Sequence, residues 1–148
     1  KKHRHYFQIS NIIFAAILGG LIGIEREYQG KEAGLRTYIL VSIGSVLFTI
    51  ISFNAFNQFI GKPNITLDPS RIVGQIVLGI GFLGAGLIVY KKSYVEGLTT
   101  AAGIWVAAAI GVAVGVGFYF LAIFTTFLTV SVFSILKLVE EKILGTKK

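Results

Sequence analysis

Long uncharged apolar runs alternate with short charged segments along this chain, and that alternation predicts its architecture. Ile9 to Ile24 carries no charge and is bounded by Arg4 on one side and by Glu25, Arg26 and Glu27 on the other. With Gln8 it makes a span of about 17 residues, enough for a short membrane crossing. A second run, Thr37 to Ile60, turns polar at Asn54, Asn57 and Gln58, and a third, Ile72 to Tyr90, is closed by Lys91 and Lys92. Leu98 to Val139 contains one charge, Lys137, near its end, and is about twice the length one crossing needs. Gly111, Gly115 and Gly117 lie near its middle. A chain that reverses at the membrane edge uses Gly to reach unusual dihedral angles, so a tight turn near Gly115 to Gly117 is expected. The pattern predicts an all-α membrane protein: a single transmembrane domain of five helices with spans near 8–24, 37–60, 72–90, 98–114 and 118–139.

Composition agrees. Only 14% of the 148 residues are charged and 54% are hydrophobic, too little charge to build a water-facing surface. The 18 Gly fall mostly within apolar runs, where membrane helices tolerate them. The chain has no Cys, so disulfides, thiolate nucleophiles and Cys-ligated metals are excluded. The basic start, Lys1 to His5, followed by an apolar run has the look of a signal peptide, but the run continues to Ile24 and ends in charge, so the first helix is expected to be retained. A metal site at His3 and His5, in a basic terminal tail, is not expected.

Net charge is +7, with Lys and Arg at helix ends and no basic stripe interleaved with aromatics, which argues for membrane topology and against nucleic acid. With five spans, the segment Glu25 to Arg36, the segment Lys91 to Gly97 and the C-terminus share one side and hold nine of the 14 Lys and Arg. The positive-inside rule then predicts an outside N-terminus and a cytoplasmic C-terminus.

Small residues recur at intervals of four: Ala15, Gly19 and Gly23 in the first span, and Gly103, Ala107, Gly111 and Gly115 in the fourth. Such faces let helices approach closely in lipid, where no hydrophobic reward drives association. They serve either to pack one chain or to form a seam with a second copy, and a homodimer is the favoured oligomer.

Asp68, Arg71 and Gln75, spaced i, i+3, i+7, lie on one face of the helix that enters the third span. Two readings fit. Asp68 is an N-cap before Pro69 with Arg71 as a snorkelling anchor, or Asp68 and Arg71 pair at the mouth of a polar cavity into which Gln75 reaches. Thr99 and Thr100 open the fourth span, and Ser42, Ser45, Thr49 and Ser52 give the second a hydroxyl-lined side. Either Asp68 or Glu25 suits a hydrated magnesium ion, which is often held through one or two carboxylates. No Ser-His-acid set, phosphate loop or HExxH motif occurs in the spans, so no enzyme activity and no resident cofactor are expected.

Four segments carry a family resemblance: GGLIGIERE at Gly19 to Glu27, AGLRTYILVSIG at Ala33 to Gly44, DPSRIVGQIVLGIGFLGAG at Asp68 to Gly86, and GLTTAAGIWVAAAIG at Gly97 to Gly111. In this order and with short spacers, they resemble the MgtC/SapB family. The resemblance implies a multi-pass protein of the bacterial inner membrane, linked to magnesium homeostasis or transport and to stress adaptation. It leaves open whether such proteins move magnesium themselves or regulate a membrane partner, such as the proton-driven ATP synthase. The positions it carries over are Glu25 and Arg26, Arg36 and Thr37, Asp68, Arg71 and Gln75, and Thr99. Some relatives have Asn where Thr99 stands, so a hydroxyl here weighs against a role that needs an amide. Some also carry a soluble C-terminal regulatory domain, for which a chain ending at Lys148 has no room, as in a short member or a shortened chain.

Overall fold

A computed structural model describes residues 2–56 and 68–143. Five helices dominate it: α1 Lys2–Tyr28, α2 Leu35–Asn54, α3 Ser70–Leu87, α4 Leu98–Gly115 and α5 Tyr119–Ile143. Each contains a window long and apolar enough to cross a membrane. Asn57, Gln58 and the remainder of the expected second span, to Ile60, lie outside the described residues, as does Pro63.

Some boundaries differ from expectation for local reasons. The α1 helix begins at Lys2, so most of the basic tail is helical. The third span, expected to continue to Tyr90, ends at Leu87, and the chain goes on into a β-hairpin of β1 Val89–Lys91 and β2 Tyr94–Glu96, paired antiparallel with Lys91 opposite Tyr94. Val89, Tyr90, Tyr94 and Val95 supply the β-branched and aromatic residues strands favour, on either side of a two-residue turn. Between α4 and α5 the chain reverses within residues 116–118, where Gly117 has φ 88°. That left-handed conformation is nearly free for Gly and costly for most other residues.

Successive helices alternate in direction, so α2 and α4 run parallel to each other and antiparallel to α1. Residue contacts record this. Gly19 and Gly23 sit against Ser42, Tyr38 and Leu35, while Gly103, Gly111 and Gly115 sit against Tyr38, then Ser42 and Ser45, then Thr49. A Cβ at Gly23 would lie 2.7 Å from the Leu35 Cα, and one at Gly111 would lie 2.6 Å from the Ser42 carbonyl oxygen. The small-residue stripes of α1 and α4 are therefore used within the chain, and Ala15 and Ala107 are fully buried. As a consequence, the α4 face is not available to a partner.

Helix α4 is the hub, touching all four other helices. Its core residues Ile104, Ala107, Ile110 and Val114 meet Ile22 of α1, and Tyr38 and Val46 of α2, in one apolar cluster. Helices α3 and α5 lie outermost. Leu78, Phe82, Phe120 and Phe127 are exposed, an arrangement suited to lipid contact and not to water.

Candidate functional site

Charge and buried polarity meet where α1 ends and α2 and α4 begin. Arg26, in the last turn of α1, is only 3% exposed. The adjacent Glu25 carboxylate accepts hydrogen bonds from its Nε at 2.5 Å and its Nη2 at 2.8 Å. The guanidinium also lies 3.8 Å from the centre of the Phe133 ring of α5, a cation–π contact. A buried guanidinium is tolerable only with partners of this kind, because its desolvation costs several kcal/mol, on the order of what a bidentate carboxylate returns.

The loop over this pair is ordered by two further carboxylates. Glu27 reaches back across it to accept the Leu35 N–H at 2.7 Å, satisfying an otherwise free donor at the start of α2. Glu32 accepts a hydrogen bond from Thr100 Oγ1 at 2.8 Å. Hydrogen bonding from its own backbone, then from Thr100, lowers the Glu32 carboxyl below its ordinary pKa. Beneath them Tyr38 is fully buried and donates to the Thr100 carbonyl at 3.4 Å. Gly103 makes room for it: a Cβ there would collide with the Tyr38 hydroxyl and with Phe133.

Below this end, the hydroxyl-lined side of α2 is largely committed to backbone. Ser42 donates to the Ala107 carbonyl at 3.2 Å, Thr49 to the Ser45 carbonyl at 2.7 Å, and Ser52 to the Pro69 carbonyl. Ser45 is the exception, a buried hydroxyl without a partner among the described residues.

At the opposite end, Asp68 accepts hydrogen bonds from the Ser70 N–H at 3.0 Å and the Ser70 hydroxyl at 2.5 Å. Those bonds, with a smaller contribution from the Arg71 charge, hold its carboxyl below the usual range. Helix α3 starts at Ser70 with Pro69 in the cap position, so Asp68 supports the helix start from one residue further out than an N-cap. Its carboxylate and the Arg71 side chain form no ion pair, unlike Glu25 with Arg26 and Glu96 with Lys91. Arg71 and Gln75 are exposed, and Gln75 lines a groove between α2 and α3.

The proposed polar set thus divides. Thr99 is exposed at the Arg26 end of the bundle, about 27 Å along an 18-residue helix from the Asp68 end, and it does not join Asp68, Arg71 and Gln75. Its neighbour Thr100 is the buried one. Arg36 is exposed and Thr37 half-buried beside the Glu25, Arg26 and Glu27 segment. Sequence reasoning did not single out Tyr38 or Phe133, and it placed Glu32 and Thr100 in a charged loop and at a helix start without bringing them together. Thr100 and Gly103 share the i, i+3 spacing of one helix face, which was the available signal. Among the described residues no three His, Asp or Glu side chains converge as a metal site.

Comparison with known proteins covers most of the chain. A family model described as MgtC family matches residues 12–142. YhiD of Escherichia coli, named as a candidate magnesium transporter, is 47% identical over 127 residues, covering 86% of this chain and 59% of that protein. Protein SapB of Bacillus subtilis is 45% identical over 106 residues, or 71% and 46% of the two chains. Protein MgtC of Salmonella typhimurium is 45% identical over 109 residues, or 74% and 43%. The chain spans about half the length of the curated relatives it matches. No solved structure matches it.

Proposed function

The chain belongs to the MgtC family, and from that premise we propose that it serves magnesium homeostasis in the bacterial inner membrane, without enzymatic activity. The observation that carries this reading is the buried Arg26 clamped by Glu25 beneath the Glu32–Thr100 contact. Such a pair is a charge switch. A hydrated divalent cation arriving at the Arg26 end competes with the guanidinium for the Glu25 carboxylate, and the displaced cation side chain stays on Phe133. Asp68 offers a single exposed carboxylate at the other end, and the two sites serve opposite faces of the membrane. The charge distribution favours the Arg26 end as cytoplasmic. In this reading magnesium is cargo or signal.

The test is magnesium flux into proteoliposomes containing the purified protein, with Glu25→Gln and Asp68→Asn alongside. Saturable flux lost in either variant supports transport. Absence of flux in correctly folded, oriented vesicles rejects it.

A second reading has its own support. With the α2 hydroxyls spent on main-chain carbonyls, the interior offers few free polar groups to replace the water shell of an ion. That favours a regulator that binds magnesium at one face and acts on a membrane partner, such as the proton-driven ATP synthase, during low-magnesium or acid stress. Co-reconstitution with that enzyme, measuring ATP-driven proton pumping with and without this chain, separates the two readings.

A further inference from the structure

Helices α3 and α4 have 18 residues each, a rise of about 27 Å, just under a hydrocarbon layer about 30 Å thick. The hairpin that joins them therefore begins where the hydrocarbon ends. Strands of three residues carry it no more than about 10 Å further out, so it lies in the headgroup layer. Its side chains suit that level. Tyr90 and Tyr94 are exposed on it, and Tyr28 is exposed at the same end of the bundle. Tyrosine collects at membrane interfaces because its ring is apolar and its hydroxyl wet.

On the last turn of α1, the loop after it and the hairpin, the charge left unbonded is positive. Glu25 is held by Arg26, Glu27 by the Leu35 N–H, Glu32 by the Thr100 hydroxyl and Glu96 by Lys91. Arg36 and Lys92 are exposed, and neither has a carboxylate partner among the described residues. Lys31 and Lys91 both lie near enough for their charges to act on the Glu32 carboxylate, so the hairpin and the α1–α2 loop sit side by side. We infer that the two form one docking surface for anionic glycerophospholipids, with Lys92 and Arg36 on the headgroup phosphate and Tyr90 among the glycerol groups. An excess of Lys and Arg on one side of the membrane sets only which way a chain faces. Here the fold also occupies the nearby carboxylates, and lipid phosphates are the anions that remain at that depth. Phosphatidylcholine offers the same phosphate with a cation of its own, so the surface favours headgroups of net negative charge. The inference rests on the membrane-spanning fold and is independent of the magnesium reading.

Native mass spectrometry of the full chain, titrated with phosphatidylglycerol or phosphatidylcholine, measures the preference. Phosphatidylglycerol should bind about tenfold more tightly, as expected for several basic residues near a charged surface. Lys92→Gln and Arg36→Gln should each reduce that preference by about two- to fivefold, and Lys92→Arg should keep it. Glu96→Gln, which releases Lys91, should raise the preference, a gain that misfolding does not produce. Arg71→Gln, at the opposite end of the bundle, should leave it unchanged. Equal binding of the two lipids would overturn the inference, as would a preference indifferent to Lys92 and Arg36. Inorganic phosphate binding as tightly as phosphatidylglycerol would also overturn it, by marking a site for free anions.

Discussion

Arg26 and Phe133 come from the first and last helices of the bundle, yet the guanidinium of one lies 3.8 Å from the ring centre of the other. With its chain neighbour Glu25 on the other side, Arg26 is a buried cation held between one local partner and one that the fold supplies. Replacing it leaves Glu25, itself half-buried, without its counter-charge. Arg26→Ala is expected to lower stability by about 3–5 kcal/mol, the usual cost of breaking a buried pair. Phe133→Leu should cost only the cation–π part and some packing, about 1–2 kcal/mol. Thermal unfolding in detergent checks both, and equal losses would show that the pair, not the ring, has been misjudged.

Gly103 and Gly81 make a controlled comparison. Both are helical, but a Cβ at Gly103 would strike Tyr38 and Phe133, whereas one at Gly81 meets open space. Gly103→Ala should therefore cost about 1–3 kcal/mol through overpacking. Gly81→Ala should be neutral or stabilising by up to about 1 kcal/mol, the helix-propensity gain. Melting temperatures of the two variants under one condition decide the matter.

Glu32 makes a pH prediction with a definite sign. Its carboxyl is lowered first by its own backbone hydrogen bond and then by Thr100. A folded-state pKa below the unfolded one adds stability that is fully present above the ordinary value of 4.5 and is lost as pH falls through the lower, folded value. Thr100→Val removes the hydroxyl donor and moves the folded value back toward 4.5, so the acid-dependent part of the stability should shrink. Unfolding midpoints measured from pH 7 down to about pH 3 for both proteins test this; an unchanged pH profile would dissociate Glu32 from Thr100.

Two left-handed glycines should respond unequally. Gly97, φ 87°, precedes α4 with its missing Cβ directed at the Leu87 carbonyl, while Gly117, φ 88°, has open space around it. Asn tolerates the left-handed region better than most residues. Gly117→Asn is expected to fold with little loss, whereas Gly97→Asn should reduce folded yield and stability by more than the roughly 1–2 kcal/mol of backbone strain alone. Comparable yields for the two would remove the steric contribution at Gly97.

Membrane character, five spans and the turn near Gly117 were all legible in the sequence, because each rests on local quantities: run length, charge at the ends, and Gly where the chain must reverse. The family resemblance was legible too, carried by ordered motifs. Partner choice was not local. Nothing in the spacing of Ala15, Gly19 and Gly23, or of Gly103, Ala107 and Gly111, says whether a stripe faces its own chain or another; only the placement of α2 against both uses them up internally. In the same way, an i, i+3 interval puts Asp68 and Arg71 on one face, but the nearer Ser70 hydroxyl and N–H take the Asp68 carboxylate. Glu32 and Thr100 are 68 residues apart, and Arg26 and Phe133 are further apart still, so their meeting depends on which helix ends the bundle brings together. Periodicity determines which side of a helix is small, polar or apolar; the tertiary arrangement alone decides what each side touches.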